Sequence, residues 1–266
     1  MQITEDQYKQ WIPLNEELIE LSEKLSRGLE AILIGHLDVM IVNTFLRKGL
    51  LYLKAIKLLA EKELWEPAIP IARVLIEHRI TFDYFLQMFA SDAERTCHKF
   101  IDSLTLNTIK QQKSIDFKGL DKIKGGPQRE QLLEEEMVIA RKYKKEEFKL
   151  MKKYGFTGLS VEERAKETDL HTIYNYFYRL FSSSVHQSDL LYYDLPHSSL
   201  EESALNDVYQ TWKNVIQYYA HWSVGGIAEG ANWQFKLGFE ENLIILGNKV
   251  EELKSRPILN EECPKP

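Results

Sequence analysis

Apolar residues recur along this chain at three- and four-residue intervals. In NEELIELSEKLSRGLEAIL, Leu18, Leu21, Leu25 and Leu29 draw the stripe of an amphipathic helix. A second helix is expected from about Asp38 to Glu63, ending before WEPAIP, where Pro67 and Pro70 suit a turn and then the first turn of the next helix. That next segment, IARVLIEHRITFDYFLQMF, is apolar on almost every side and predicts a buried central helix. Ser91, with Glu94 three residues on, has the spacing of a capping box for the helix after it. DFKGLDKIKGGPQ reads as a linker. Residues 129–153 are heavily charged around a thin stripe of Leu133, Met137, Ala140, Tyr143 and Phe148, which predicts a protruding helix or helical hairpin arm. Ser160 and Glu163 cap a short helix, and a further helix runs from about Leu170 to Tyr193. In the last long helical stretch Gly225, Gly226 and Gly230 predict a kink or a close approach. No run alternates with the period of a strand, and no repeat of fixed length stands out. The expected class is all-α: a multi-helix bundle with a buried central helix and a charged helical insertion, forming a single domain over 1–255 with a loose tail at 256–266.

Composition narrows the function classes. Hydrophobic residues at 44% and charged residues at 28% suit an ordinary globular chain. A net charge of -6 weighs against a surface built for non-specific nucleic-acid binding, although a local basic cleft is compatible with it. Cys97 and Cys263 form neither a disulfide framework nor a zinc spacing, so reduced thiols and a cytoplasmic location are expected. The most apolar run, LEAILIGHLDVMIV, is interrupted by Glu30, His36 and Asp38, and the N-terminus has no basic region leading into an apolar core. Neither export nor a membrane partner is expected. His36, His98, His197 and His221 lack ligand-spaced neighbours, and no second histidine stands four residues from His78. No phosphate-binding, dinucleotide-binding, hydrolase-elbow or CxxC string occurs, so no metal and no cofactor are expected.

Two groups of residues could carry chemistry. In YRLFSSSVHQSD, Arg179, Ser183 and His186 fall within roughly 60° of one another on an ideal helix. The same face continues through His171, Asn175, Ser182 and Asp189. Ile173, Phe177, Leu180, Phe181 and Leu191 form the opposite, core-facing stripe. A polar stripe is ordinarily the wet side of a helix, but this one is poor in lysine and glutamate and rich in hydroxyls and imidazoles, which favour directional hydrogen bonds. On the central helix, Arg73 and Glu77 share a face with Ile69, Ile76, Ile80 and Tyr84. Charges inside an apolar stripe are either a buried ion pair that fixes packing or a functional pair, with Arg73 facing a ligand anion and Glu77 orienting Arg73 or His186. Trp212, Tyr218, Tyr219 and Trp222 suit core or dimer-interface packing better than a base-stacking platform.

Two blocks carry a resemblance. GLLYLKAIKLLAEKELWEPAIPIARVLIEHRITFDYF and SVEERAKETDLHTIYNYFYRLFSSSVHQSD resemble the signature blocks of a bacterial helical family known only as a domain of unknown function, number 5677. The first places that family's Arg-x-x-x-Glu motif on Arg73 and Glu77. The second places its Tyr, Ser and His ridge on Tyr174, Tyr178, Ser182 or Ser183, and His186. The second block is also similar to the HEPN superfamily, whose ribonuclease members carry an arginine, four to six residues, then a histidine on one helix; from Arg179 to His186 the interval is six. That resemblance implies metal-independent RNA cleavage at a homodimer interface. His186 would be general acid or base, Arg179 would hold the phosphate, and Ser183 or Tyr178 would orient the imidazole or the phosphate. Arg73, Glu77 and Ser182 would be ligand-binding. A ribonuclease or defence-associated effector is therefore expected, with RNA as substrate. The rival reading is a non-catalytic helical module that binds a small anionic ligand or a partner protein through Arg73, Glu77 and His186. The acidic balance and the apolar Leu180 directly after Arg179 favour the rival; the clustered polar face and the spacing favour the enzyme.

Overall fold

A computed structural model of the chain describes residues 7–114, 129–179, 182 and 202–255. All its regular elements are helical, so the all-α expectation holds: the molecule is a multi-helix bundle. The helices are α1 (Trp11–Ala31), α2 (Leu37–Glu61), α3 (Trp65–Ser91), α4 (Ala93–Ser114), α5 (Arg129–Lys142), α6 (Lys145–Tyr154), α7 (Val161–Glu167), α8 (His171–Ile173), α9 (Glu202–Phe235) and α10 (Glu240–Ser255). Among the described residues no helix is long and apolar enough to cross a membrane. The chain forms two compact units. One combines the residues up to Asp83 with those from His171 onward; the other is Tyr84–Leu170.

In the first unit α1, α2 and α9 pack on one another, and α10 packs on α1 and α9. The stripe expected on α1 is the one buried: Leu18, Leu25 and Leu29 have no exposed surface and Leu21 has almost none. Ile41, Leu46, Leu53 and Ile56 of α2 and Ile216, Val224 and Ile227 of α9, the helices packed on α1, are buried as well, as are Leu75, Ile76, Ile80 and Phe82 of α3. Fully burying side chains of this kind contributes about 1.5–3 kcal/mol each. The turn between α2 and α3 differs from expectation. It is Lys62–Leu64, not the WEPAIP segment, because Glu63 adopts φ 54 and the amides of Glu63 and Leu64 return to the carbonyls of Ala60 and Leu59, closing α2 in three residues. Helix α3 therefore starts at Trp65, and Pro70 lies inside it.

In the second unit Phe85, Phe100 and Phe156 form an aromatic cluster with ring centroids 4.9 to 6.0 Å apart. The charged segment is a helical hairpin, α5 and α6, packed on α4 around Leu106, Ile139 and Met151. Its buried face differs from the expected one. Leu132 and Ile139 are inside, whereas Leu133 and Met137 are about half exposed. Glu136, between these two faces, accepts from Lys113 and Lys152. Ser160 and Glu163 form the expected capping box. Ser91 does not cap α4: it is the last residue of α3, its hydroxyl donates to the Gln87 carbonyl, and Asp92 accepts from the Arg95 amide instead. The linker at 116–128 and the tail at 256–266 lie outside the described residues.

Candidate functional site

The central helix offers Arg73 and Glu77 one turn apart, both half-buried. Facing them is the segment from His171. It begins as α8 and widens over Tyr174–Tyr178 into a π-helical turn, in which the Arg179 amide reaches back five residues to the Tyr174 carbonyl. Such a turn inserts one residue into the helical register, and these insertions concentrate at functional sites. Nothing in YNYFY announces it.

The wide turn changes which side chains point inward. Phe177 was expected on the core stripe and Tyr178 on the polar ridge. Tyr178 is instead the buried residue, 8% exposed, while Phe177 is half-buried against Tyr219 with ring centroids 3.9 Å apart. Tyr178 is the last residue of the wide turn, and its side chain lies against α3. Its hydroxyl accepts from Arg73 Nη2 at 2.5 Å and donates to Glu77 Oε2 at 3.3 Å. Arg73 Nε donates to Ser182 Oγ at 2.7 Å, and Ser182 Oγ donates to the Tyr178 carbonyl at 2.7 Å. The guanidinium carbon of Arg73 lies 4.6 Å from the Tyr178 ring centroid. Burial pushes the Tyr178 phenol above its ordinary range, with the Glu77 carboxylate adding to the rise and Arg73 opposing it.

Among the described residues no carboxylate stands within 4.0 Å of the Arg73 guanidinium. The simple intrahelical ion pair with Glu77 is therefore replaced by a shared tyrosine hydroxyl. Stacking extends outward from there. Tyr174 lies on Tyr178 with centroids 4.9 Å apart, the His171 ring is parallel to Tyr174 at 6.3 Å, and the exposed Arg179 sets its guanidinium 5.5 Å from the Tyr174 centroid. The Asn175 amide nitrogen stands 3.2 Å from a His171 ring nitrogen.

The structure thus brings together Arg73, Glu77, Tyr178 and Ser182, and it places Arg179 on the adjoining exposed surface. Ser183 and His186 lie outside the described residues. Sequence reasoning found Arg73 and Glu77 through charges in an apolar stripe, but it missed the inward turn of Tyr178. Of the aromatic residues of α9, Tyr219 belongs to the core. His221 is also internal: its Nδ1 lies 2.9 Å from Asn15 Oδ1, and Asn15 Nδ2 donates to Gln217 Oε1 at 2.5 Å. Among the described residues no group of three or more His, Cys, Asp or Glu could hold a metal ion. A groove of about 930 Å³ between α9 and α10, lined by Trp233, Leu243 and Ile244 among others, shares no residue with the cluster and brings no hydroxyl or imidazole beside a cation.

No curated protein and no solved structure matches the chain. Residues 39–201, more than half of the sequence, match a family described as a family of unknown function (DUF5677), and they contain all four residues of the cluster together with Arg179; the chain belongs to that family.

Proposed function

We propose that the chain is a metal-independent ribonuclease of HEPN type, or an effector working through that activity, with Arg179 on the scissile phosphate and His186 as general acid or base. The carrying observation is Arg179 itself: it is exposed, it directly follows the wide turn, and its guanidinium sits over the Tyr174 ring. A guanidinium laid on an aromatic face keeps its N–H groups in their own plane, where phosphate oxygens approach them in pairs. In the proposed reaction a ribose 2′-hydroxyl gives its proton to a base and O2′ bonds to the adjacent phosphorus. The P–O5′ bond breaks as O5′ takes a proton, leaving a 2′,3′-cyclic phosphate. An imidazole that titrates near neutrality serves either transfer. Tyr178, with its hydroxyl engaged by Arg73 and Glu77, suits support of the helix, which leaves Ser183 to orient the imidazole or the phosphate. The same reading includes a cytoplasmic homodimer that pairs two such helices.

The test is incubation of purified protein with mixed RNA in the presence of a chelator. Wild type is expected to cleave RNA and spare DNA, which lacks the internal nucleophile, and His186→Ala is expected to lower the rate by about 10²–10⁴-fold. Intact RNA with wild type sinks the proposal.

One observation favours a second reading. The Arg73 charge, met by two hydroxyls and a ring, suits an anion. On this reading the chain is a non-catalytic module that binds a small anionic ligand or a partner protein through Arg73, Glu77 and His186. Inorganic phosphate would then raise the melting temperature of wild type and leave that of Arg73→Ala unchanged.

A further inference from the structure

We infer that Arg73 is a positioning residue that fixes the aim of Arg179 by clamping the helix on both sides of it. The catalytic consequence rests on the ribonuclease reading above; the geometry does not. Tyr178 immediately precedes Arg179 and Ser182 follows it by three residues. The planar fork of Arg73 donates to both, through Nη2 to the phenol oxygen and through Nε to the serine oxygen. The Ser182 hydroxyl donates to the Tyr178 carbonyl, and the Tyr178 hydroxyl donates to Glu77. The donor and acceptor roles in these contacts are consistent: each hydroxyl accepts from Arg73 and donates elsewhere.

The clamp has a definite load. A π-helical turn is less favourable than the regular helix and persists where surrounding contacts hold it. Here the turn ends at Tyr178, the residue whose hydroxyl and ring Arg73 engages together. Were the turn to relax to a regular helix, the residues after it would swing by about 100°, which would change the direction in which Arg179 projects relative to α3 and the Tyr174 ring. Glu77, one turn on along the same helix as Arg73, accepts from the phenol hydroxyl and orients it. Lysine cannot take this role, because one ammonium on a flexible stem offers neither the two divergent donors nor the flat face that lies on Tyr178.

The experiment compares full-length wild type with Arg73→Lys, and with a Tyr178→Phe, Ser182→Ala double variant, by amide hydrogen exchange and by single-turnover RNA cleavage. The clamp predicts that both variants exchange at least tenfold faster in peptides covering 174–182 while α1, α2 and α9 stay protected. It predicts that Arg73→Lys lowers the cleavage rate by about 10²-fold, the order of effect that a small misplacement of a reacting group produces, with RNA affinity changed less than twofold. It also predicts that Arg73→Lys adds no further loss to Arg179→Lys, since each removes the same aimed fork. Unchanged exchange at 174–182 overturns the inference, as does loss of protection throughout the first unit, which marks a general packing role. Weakened RNA binding at an unchanged cleavage rate also overturns it and makes Arg73 a direct ligand contact. If wild type cleaves no RNA, the ribonuclease reading falls while the exchange data still decide the clamp.

Discussion

Glu63 ends α2 in the left-handed region, φ 54, where glycine is the usual residue and any other costs roughly 1 kcal/mol or more. Its side chain offsets that cost. The carboxylate accepts from Lys213 Nζ at 2.8 Å, from Trp65 Nε1 at 2.9 Å and from the Tyr8 hydroxyl. Lys213, 6% exposed, lies over the rings of Tyr8 and Trp65 at 4.6 and 5.5 Å. Burial pushes the Glu63 carboxyl up, but the hydrogen bonds from Lys213, Trp65 and Tyr8 outweigh it and bring the group down to about 2. A folded pKa below the unfolded value stabilises the protein above the unfolded pKa, and the contribution is lost as pH falls from about 4.5 toward 2. Because the Glu63 side chain is 53% exposed, the contribution is discounted for solvent screening to about 1 kcal/mol. Glu63→Gln is expected to melt a few degrees below wild type at pH 7, and the two melting curves should converge toward pH 2. A gap that persists there would contradict the charge-based account. None of this knot was legible in the sequence, since Tyr8, Glu63, Trp65 and Lys213 become neighbours only when α9 returns to the start of α3.

At the scale of the element, the glycines of α9 separate two meanings that the sequence left open. Gly225, Gly226 and Gly230 read as a kink or a close approach, and α9 runs unbroken through all three. The approach is made by a guanidinium. A Cβ on Gly226 would stand 1.1 Å from Arg79 Nη1, whereas a Cβ on Gly225 would meet nothing within 4 Å. Arg79 is held in that gap by Asp83, whose two oxygens accept from Nε at 2.8 and 2.9 Å, and by the Trp222 carbonyl. Gly226→Ala would expel the guanidinium and leave the largely buried Asp83 without its partner, at a cost of about 1–3 kcal/mol. Gly225→Ala would add helix propensity without a clash and stabilise by about 0.5–1 kcal/mol. Urea titration of the two variants should move the midpoints in opposite directions, and matching shifts would refute the assignment of the gap to Arg79. Periodicity located the helices to within a few residues because burial enforces it. It failed at YNYFY, where the contacts made by the Tyr178 hydroxyl at the end of the π turn are with residues about a hundred positions away in sequence.

Across the molecule, the amphipathic stripes of α1 and α2 were readable because each buries one face, but the division between Asp83 and Tyr84 was not. It falls inside α3, where no glycine, proline or polar run marks it. Within the first unit burial holds two imidazoles, the buried His221 and the partly buried His78, below their ordinary range, and together they set an acid limit on the fold. Burial pushes His221 down to about 4, with its Nδ1–H donated to Asn15. Burial likewise brings His78 to about 4, assisted by the charge of Lys48 and opposed by the hydrogen bond to the Phe45 carbonyl. Between pH 6.5 and 4 the unfolded chain binds protons that the folded chain refuses, so stability falls as pH falls through that window, by up to about 1.4 kcal/mol per pH unit for each group. The carboxylates held low by lysine and arginine, Glu63, Glu136 and Glu147, act in a separate window below about 4.5. Urea midpoints measured from pH 7 to pH 4 should therefore drop most steeply between 6.5 and 4, and His221→Gln should remove about half of that slope while costing stability at pH 7. A midpoint that is flat across this range would mean that neither imidazole is excluded from charging. The window also bears on the proposed chemistry. A ribonuclease rate that falls below pH 6 reports on His186 only where the same buffer leaves the urea midpoint unchanged, so rates and melts belong on the same samples; a rate limb that survives His221→Gln at unaltered position assigns the titration to the site rather than to the core.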